Sequence, residues 1–116
     1  MEHRAIIEVK HDVLVEMNRI LALDEGLEDT KNGDPIQCFT AQFDNGFFAD
    51  VVVCNGSVTD EFAGAGDPPW IDCILFDDGN EVACFVGEGD SLDGEYIFHD
   101  GDDKYVVTVK EKNNGG

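Results

Sequence analysis

From Asn32 to Asp103, a run of 72 residues, the chain has neither lysine nor arginine. The bases Arg4, Lys10, Arg19 and Lys31 stand before that gap, and Lys104, Lys110 and Lys112 after it. The gap itself carries 17 of the 26 acids, so it holds 17 of the 19 net negative charges. Such a surface repels nucleic acid and anionic membrane and attracts cationic partners. Direct nucleic-acid binding and membrane binding are therefore excluded.

Other absences narrow the class further. No apolar run is long enough to span a bilayer. Met1-Glu2-His3-Arg4 leads into an amphipathic segment without the apolar stretch of a secretory leader, which makes a cytoplasmic protein the expectation. No Gly-rich loop precedes a helix, so no phosphate cradle is expected. Cys38, Cys54, Cys73 and Cys84 are far apart and form no C-x-x-C pair. Zinc needs closely spaced ligand pairs on turns, whereas these cysteines lie inside apolar runs. They are expected to be reduced and buried, with no metal and no cofactor. Asn55-Gly56-Ser57 is a glycosylation sequon, which carries no weight without a secretory leader.

An acidic chain this extreme invites a disordered reading. Eight Phe, two Tyr, one Trp and many Val and Ile, spaced with period two, exclude it. At 116 residues the chain suffices for one hydrophobic core. The expectation is one acidic α+β domain over 1–112, followed by a flexible tail at 113–116.

Residues 4–10 alternate, with Ala5, Ile7 and Val9 on one side, as a short strand would. Asp12 reads as the N-cap of a helix to about Leu23, with Val13, Leu14, Met17, Ile20 and Leu21 as its apolar stripe. Residues 24–35 read as a polar loop. Beyond them one theme occurs three times: Phe43-Asp44-Asn45-Gly46, Phe76-Asp77-Asp78-Gly79 and Phe98-His99-Asp100-Gly101. Asn-Gly and Asp-Gly supply the positive φ angles of tight hairpin turns. The spacing predicts three hairpins: 36–43 with 47–54, 70–76 with 81–87, and 95–98 with 104–111. The expected fold is the N-terminal strand and helix packed on a strongly twisted antiparallel meander of about six strands.

In such a meander the hairpin tips share one rim, gathering Asp44, Asp77, Asp78, Asp100, Asp102 and Asp103. The linker 55–69, with Asp60, Glu61 and Asp67, ends in Pro68-Pro69-Trp70 and is the candidate functional loop. Phe47 and Phe48 point to opposite faces of a strand and cannot both enter one core. Either one is left exposed or the sheet is covered on both faces; partial cover, as by a self-association surface, is the expectation, so a homodimer is among the candidates.

Catalytic readings fare poorly. Gly89-Asp90-Ser91-Leu92 resembles, over four residues only, the signature of a large family of serine esterases. That family implies a doubly wound α/β layer with an early serine and a late Asp-x-x-His. Here the serine is late, and the residue three before His99 is Tyr96, so the match reads as chance. An EF-hand reading at Asp100 fails because Lys104 occupies a ligand position. His3, His11 and His99 are scattered, with His99 read as an exposed turn residue.

The expectation is a non-enzymatic inhibitor of the anti-CRISPR or anti-restriction type. It presents carboxylates to a basic protein with a Lys/Arg-lined nucleic-acid groove. Strand residues i and i+2 lie roughly 6.6–6.8 Å apart, comparable with phosphates along a nucleic-acid strand. The expected contact residues are the six tip acids together with Asp60, Glu61, Asp67 and Trp70. The alternative is an accessory or scaffold domain with a solvated acidic surface, as in a salt-rich setting.

Overall fold

The computed structural model describes residues 1–31, 33–56, 68–87 and 91–112, and every structural statement below concerns these. They form β1 (Glu2–Val9), α1 (His11–Leu21), β2 (Pro35–Gln42), β3 (Phe48–Cys54), β4 (Trp70–Asp77), β5 (Asn80–Gly87), β6 (Gly94–Asp100) and β7 (Asp103–Glu111). The fold is α+β.

All three expected hairpins are present, as β2–β3, β4–β5 and β6–β7, and each is antiparallel. Their turns follow local chemistry. Asp78 and Gly79 both take positive φ (54° and 83°), as a two-residue type I′ turn requires. Gly101 (φ 62°) provides the first central position of the β6–β7 turn, where a Cβ would be strained.

The hairpins do not build a single meander. Seven strands divide into two sheets, one ordered β2-β3-β4-β5 and the other β1-β7-β6. The last hairpin leaves the first two and pairs with β1, whose strand runs parallel to β7. Burial explains the departure. Tyr105, Val106 and Val107 are consecutive in β7 and all buried, a pattern that suits a central strand covered on both faces and paired at both edges. β1 supplies the second edge. The two sheets approach each other at both flanks, β1 beside β2 and β5 beside β6. At the second flank, Phe85 packs on Phe98 with ring centroids 5.0 Å apart.

The core lies between the sheets. Ala49, Val51, Val53, Ile71, Cys73 and Leu75 come from the inner face of the four-stranded sheet, and Tyr105, Val107, Val109, Ile7, Val9 and Phe98 from the other. The helix adds Leu14, Met17, Ile20 and Leu21 as expected, with Val13 at the margin. Its start differs from expectation. Lys10 occupies the N-cap without a side-chain hydrogen bond, and Asp12 sits within the first turn, where it complements the helix dipole instead.

Polar anchors hold the irregular segments. Asn55, fully buried, accepts a hydrogen bond from the Leu27 amide (2.6 Å) and donates to the carbonyls of Leu27 (3.1 Å) and Thr30 (2.6 Å). This places the sequon asparagine out of reach of modification. Asn18 on the helix accepts from the Leu92 amide (2.7 Å) and donates to Asp93 (3.1 Å). Leu92, which ends the esterase-like tetrapeptide, is a buried core residue.

All four cysteines are free thiols, but only Cys54 and Cys73 are buried, with pKa values pushed up to about 11 and about 12 chiefly by burial. Cys38 and Cys84 are exposed, which corrects the expectation of four buried thiols. Apolar neighbours in a strand do not tell which face a residue takes. Cys38 shares its face with Thr40 and Gln42, and that alternation turns it outward.

Candidate interaction surface

Charge is divided between the sheets. The outward face of β1-β7-β6 holds both signs: Arg4 pairs with Glu2 (2.5 Å) and Glu95 (3.7 Å), and Lys104 with Glu2 (3.7 Å). Strands β2 to β5 fall wholly within the base-free stretch, so every charged side chain they carry is a carboxylate. The parallel pairing of β1 with β7 causes this segregation, because it brings the two base-bearing ends of the chain into one sheet.

The three hairpin tips do meet at one end of the molecule, around Tyr105. The ring is fully buried, stacked between His3 (centroids 4.8 Å, 18°) and Phe47 (4.8 Å, 9°), with Phe43 edge-on at 5.0 Å. Its hydroxyl accepts a hydrogen bond from Asn45 of the β2–β3 tip (2.9 Å). Burial raises the Tyr105 pKa, and Asp103, Asp100 and Asp77 push in the same direction, which places acids from two hairpins within its electrostatic reach.

The tip acids are not equivalent. Asp44 lies 2.8 Å from His3 Nδ1, while Asp103 lies 3.9 Å from Nε2 and 3.5 Å from the Met1 amine. Asp100 is half-buried. Asp77, Asp78 and Asp102 are exposed and are the acids most available to a partner. The acids do not run along a strand at i and i+2 in β2 to β5; they lie across the strand ends, so the expected phosphate-like row is replaced by a cluster at the rim. Asp60, Glu61 and Asp67 lie outside the described residues. Trp70 begins β4 opposite Cys54, at the end away from the tips, half-buried on the outward face. Its indole N–H is buried with no hydrogen-bond partner among the described residues.

His3 escaped the sequence reading. The signal was its place in the odd-numbered row with Ala5, Ile7 and Val9, which the strand buries together.

The outward face of the four-stranded sheet is the second feature. Cross-strand register puts Phe48 beside Phe76, Asp50 beside Ile74, and Val52 beside Asp72. Phe48 and Phe76 stack with centroids 4.8 Å apart, so Phe47 and Phe48 do take opposite faces, one in the core and one outside. Asp50 accepts a hydrogen bond from Thr40 Oγ1 (2.7 Å). Asp72 has its pKa raised, first by desolvation and then by Glu81.

A folded-state pKa above the unfolded value means that the folded chain binds the proton more tightly. The stability contributed by Asp72 therefore grows as pH falls through the folded value and is lost as pH rises above it. Asp72→Asn is expected to raise the urea midpoint at neutral pH slightly, by the equivalent of at most about 0.5 kcal/mol because solvent screens the partly exposed carboxylate. That gain should vanish on acidification into the ordinary carboxylate range. An equal gain at all pH values would refute the electrostatic origin.

An open cleft of about 500 Å³ lies at the β5–β6 flank, lined by Phe85, Val86, Gly87, Glu95, Tyr96 and Ile97. The Tyr96 hydroxyl is committed to the Leu92 carbonyl (2.5 Å). No group of three or more potential metal-ligating side chains occurs among the described residues, and no helix there is long and apolar enough to cross a membrane. Comparison with protein-family models, with curated proteins and with solved structures finds no match.

Proposed function

We propose that this chain is a small acidic binding protein that engages a basic nucleic-acid-binding protein through its hairpin rim, as an inhibitor that mimics nucleic acid. The observation that supports this reading most is the convergence of Asp77, Asp78 and Asp102, from two separate hairpins, at one exposed end of a molecule whose larger sheet has no base. Carboxylates so placed would exchange with phosphates for Lys and Arg, with the counterion release that makes such contacts salt-dependent. Anti-CRISPR and anti-restriction inhibitors are the functional type it would join.

The reading as a solvated accessory or scaffold surface draws on one observation. Asp44 and Asp103 are already engaged by His3 and the chain's own amine, as surface acids in a non-binding protein would be.

Charge reversal separates the two. Asp77→Lys combined with Asp102→Lys should weaken capture of the partner at least tenfold, and the same change at Glu2 and Glu16 should have a much smaller effect. Unselective attraction is screened beyond about 8–10 Å at ordinary salt, so it would not distinguish these sites. Partner and DNA or RNA should compete. A stable complex with nucleic acid still in its groove would refute mimicry.

A further inference from the structure

The four-stranded sheet buries one face in the core, and among the described residues no helix or strand is layered on the other. None of Phe48, Val52, Trp70, Ile74, Phe76 and Val86 belongs to the core cluster or packs against it. Alternation places them together on the outward face with Asp50 and Asp72 among them, bordered by Cys38 on β2 and Cys84 on β5. Four strands at 4.7–4.9 Å spacing are about 14 Å wide, and six residues of strand are about 20 Å long. That area fits one α-helix, about 10 Å across, of roughly 13 residues. A sheet face rather than an edge offers side chains and no free backbone groups, which suits a helix rather than an added strand.

Charge decides which helix. A second copy would bring Asp50 and Asp72 of both chains into one dehydrated interface with no cation on either side, each chain carrying a formal charge of −19. Covering these carboxylates with a wholly apolar partner would strand them in the same way. We infer that the outward face of β2-β3-β4-β5 docks an amphipathic helix whose apolar stripe is flanked by Lys or Arg.

The inference rests on the reading of the chain as a binder of a basic protein, and it adds to the rim a second surface that grips the same partner. The apolar stripe would lie on the Phe48–Phe76 stack, Ile74 and Val52, with the flanking cations reaching Asp50 and Asp72. The raised pKa of Asp72 fits a carboxylate that lacks a cation in the free protein. Phe48 and Phe76 stand where β3 and β4 run into the tips, so the face continues into the acidic rim.

The test uses the full chain and two synthetic 18-residue helices of equal positive charge, one Leu/Lys with an apolar stripe and one Ala/Lys without. The Leu/Lys helix should bind at least tenfold more tightly and protect Cys38 and Cys84 from alkylation, read by mass spectrometry. The near-isosteric Asp50→Asn, Asp72→Asn variant should weaken it about tenfold, whereas Glu2→Gln, Glu16→Gln should change it less than threefold. Equal binding of both helices with both thiols still reactive, and weakening by Asp77→Asn, Asp102→Asn but not by Asp50→Asn, Asp72→Asn, would overturn the inference and leave the basic-partner reading intact. Failure of both helices to bind would count against both readings. Thiols already protected in a peptide-free dimer would mean that a second copy is the occupant, which also overturns the inference.

Discussion

Tyr105→Ala is expected to lower the unfolding free energy by about 3–5 kcal/mol, the range for truncating a large buried aromatic. The ring is fully buried and touches three other aromatic rings from β1 and the β2–β3 turn. Removing it opens a cavity where the two sheets and the hairpin tips meet. Urea denaturation gives the size directly, from the midpoint and an unchanged slope. Tyr105→Phe provides the contrast: it keeps the stack and loses only the hydrogen bond from Asn45, a change of about 1 kcal/mol. If both substitutions cost the same, the hydroxyl rather than the packing holds the tips together. The rim acids depend on this stack for their convergence, so the alanine variant should also lose partner capture at temperatures where it remains folded.

The second large effect belongs to Asn55→Ala, expected to cost about 1–3 kcal/mol because it leaves half-buried backbone groups of Leu27 and Thr30 without their partner. Asn55 links the end of β3 to the loop before β2, and its own backbone N–H bonds to the Asp34 carbonyl at 2.9 Å. The damage should be local as well as global. Amide exchange at Leu27 should accelerate more than exchange in β7, which a uniform loss of stability would not produce. Asn55→Asp should be comparably harmful, because it puts a carboxylate beside carbonyl oxygens and removes the amide donors. A cost below about 0.5 kcal/mol for Asn55→Ala would place it among ordinary surface changes and refute the anchoring role.

Local signals in this chain translated into structure with little loss. The Phe-x-[Asn/Asp]-Gly repeats gave three hairpins at the expected places because Gly46, Gly79 and Gly101 each supply the positive φ their turn needs, a preference that belongs to the residue itself. Helical spacing from Val13 to Leu21 gave the helix and its buried stripe for the same reason. The helix cap was misread because Asp12 suits either the cap or the first turn, and the choice rests on a difference of one residue.

The candidate surface was legible in parts. Asp77, Asp78 and Asp102 were visible as tip acids, whereas the engagement of Asp44 by His3 depends on a contact across 41 residues. Likewise, Phe48 could be placed opposite Phe47 from strand geometry alone, but its stacking partner Phe76 is fixed by the register of β3 with β4.

By itself the sequence determined that the chain folds around one core, where its hairpins turn, and that its middle carries no Lys or Arg. These depend on composition and on interactions among near neighbours. Only the tertiary structure decided that the last hairpin abandons the other two for β1, that the bases therefore gather on one sheet, and that apolar and acidic side chains share the outward face of the other. Those outcomes turn on which strand edges meet over separations of about a hundred residues, as in the pairing of Glu2 with Lys104. Edge pairing uses backbone groups common to all residues except proline, so it leaves almost no mark in the order of side chains.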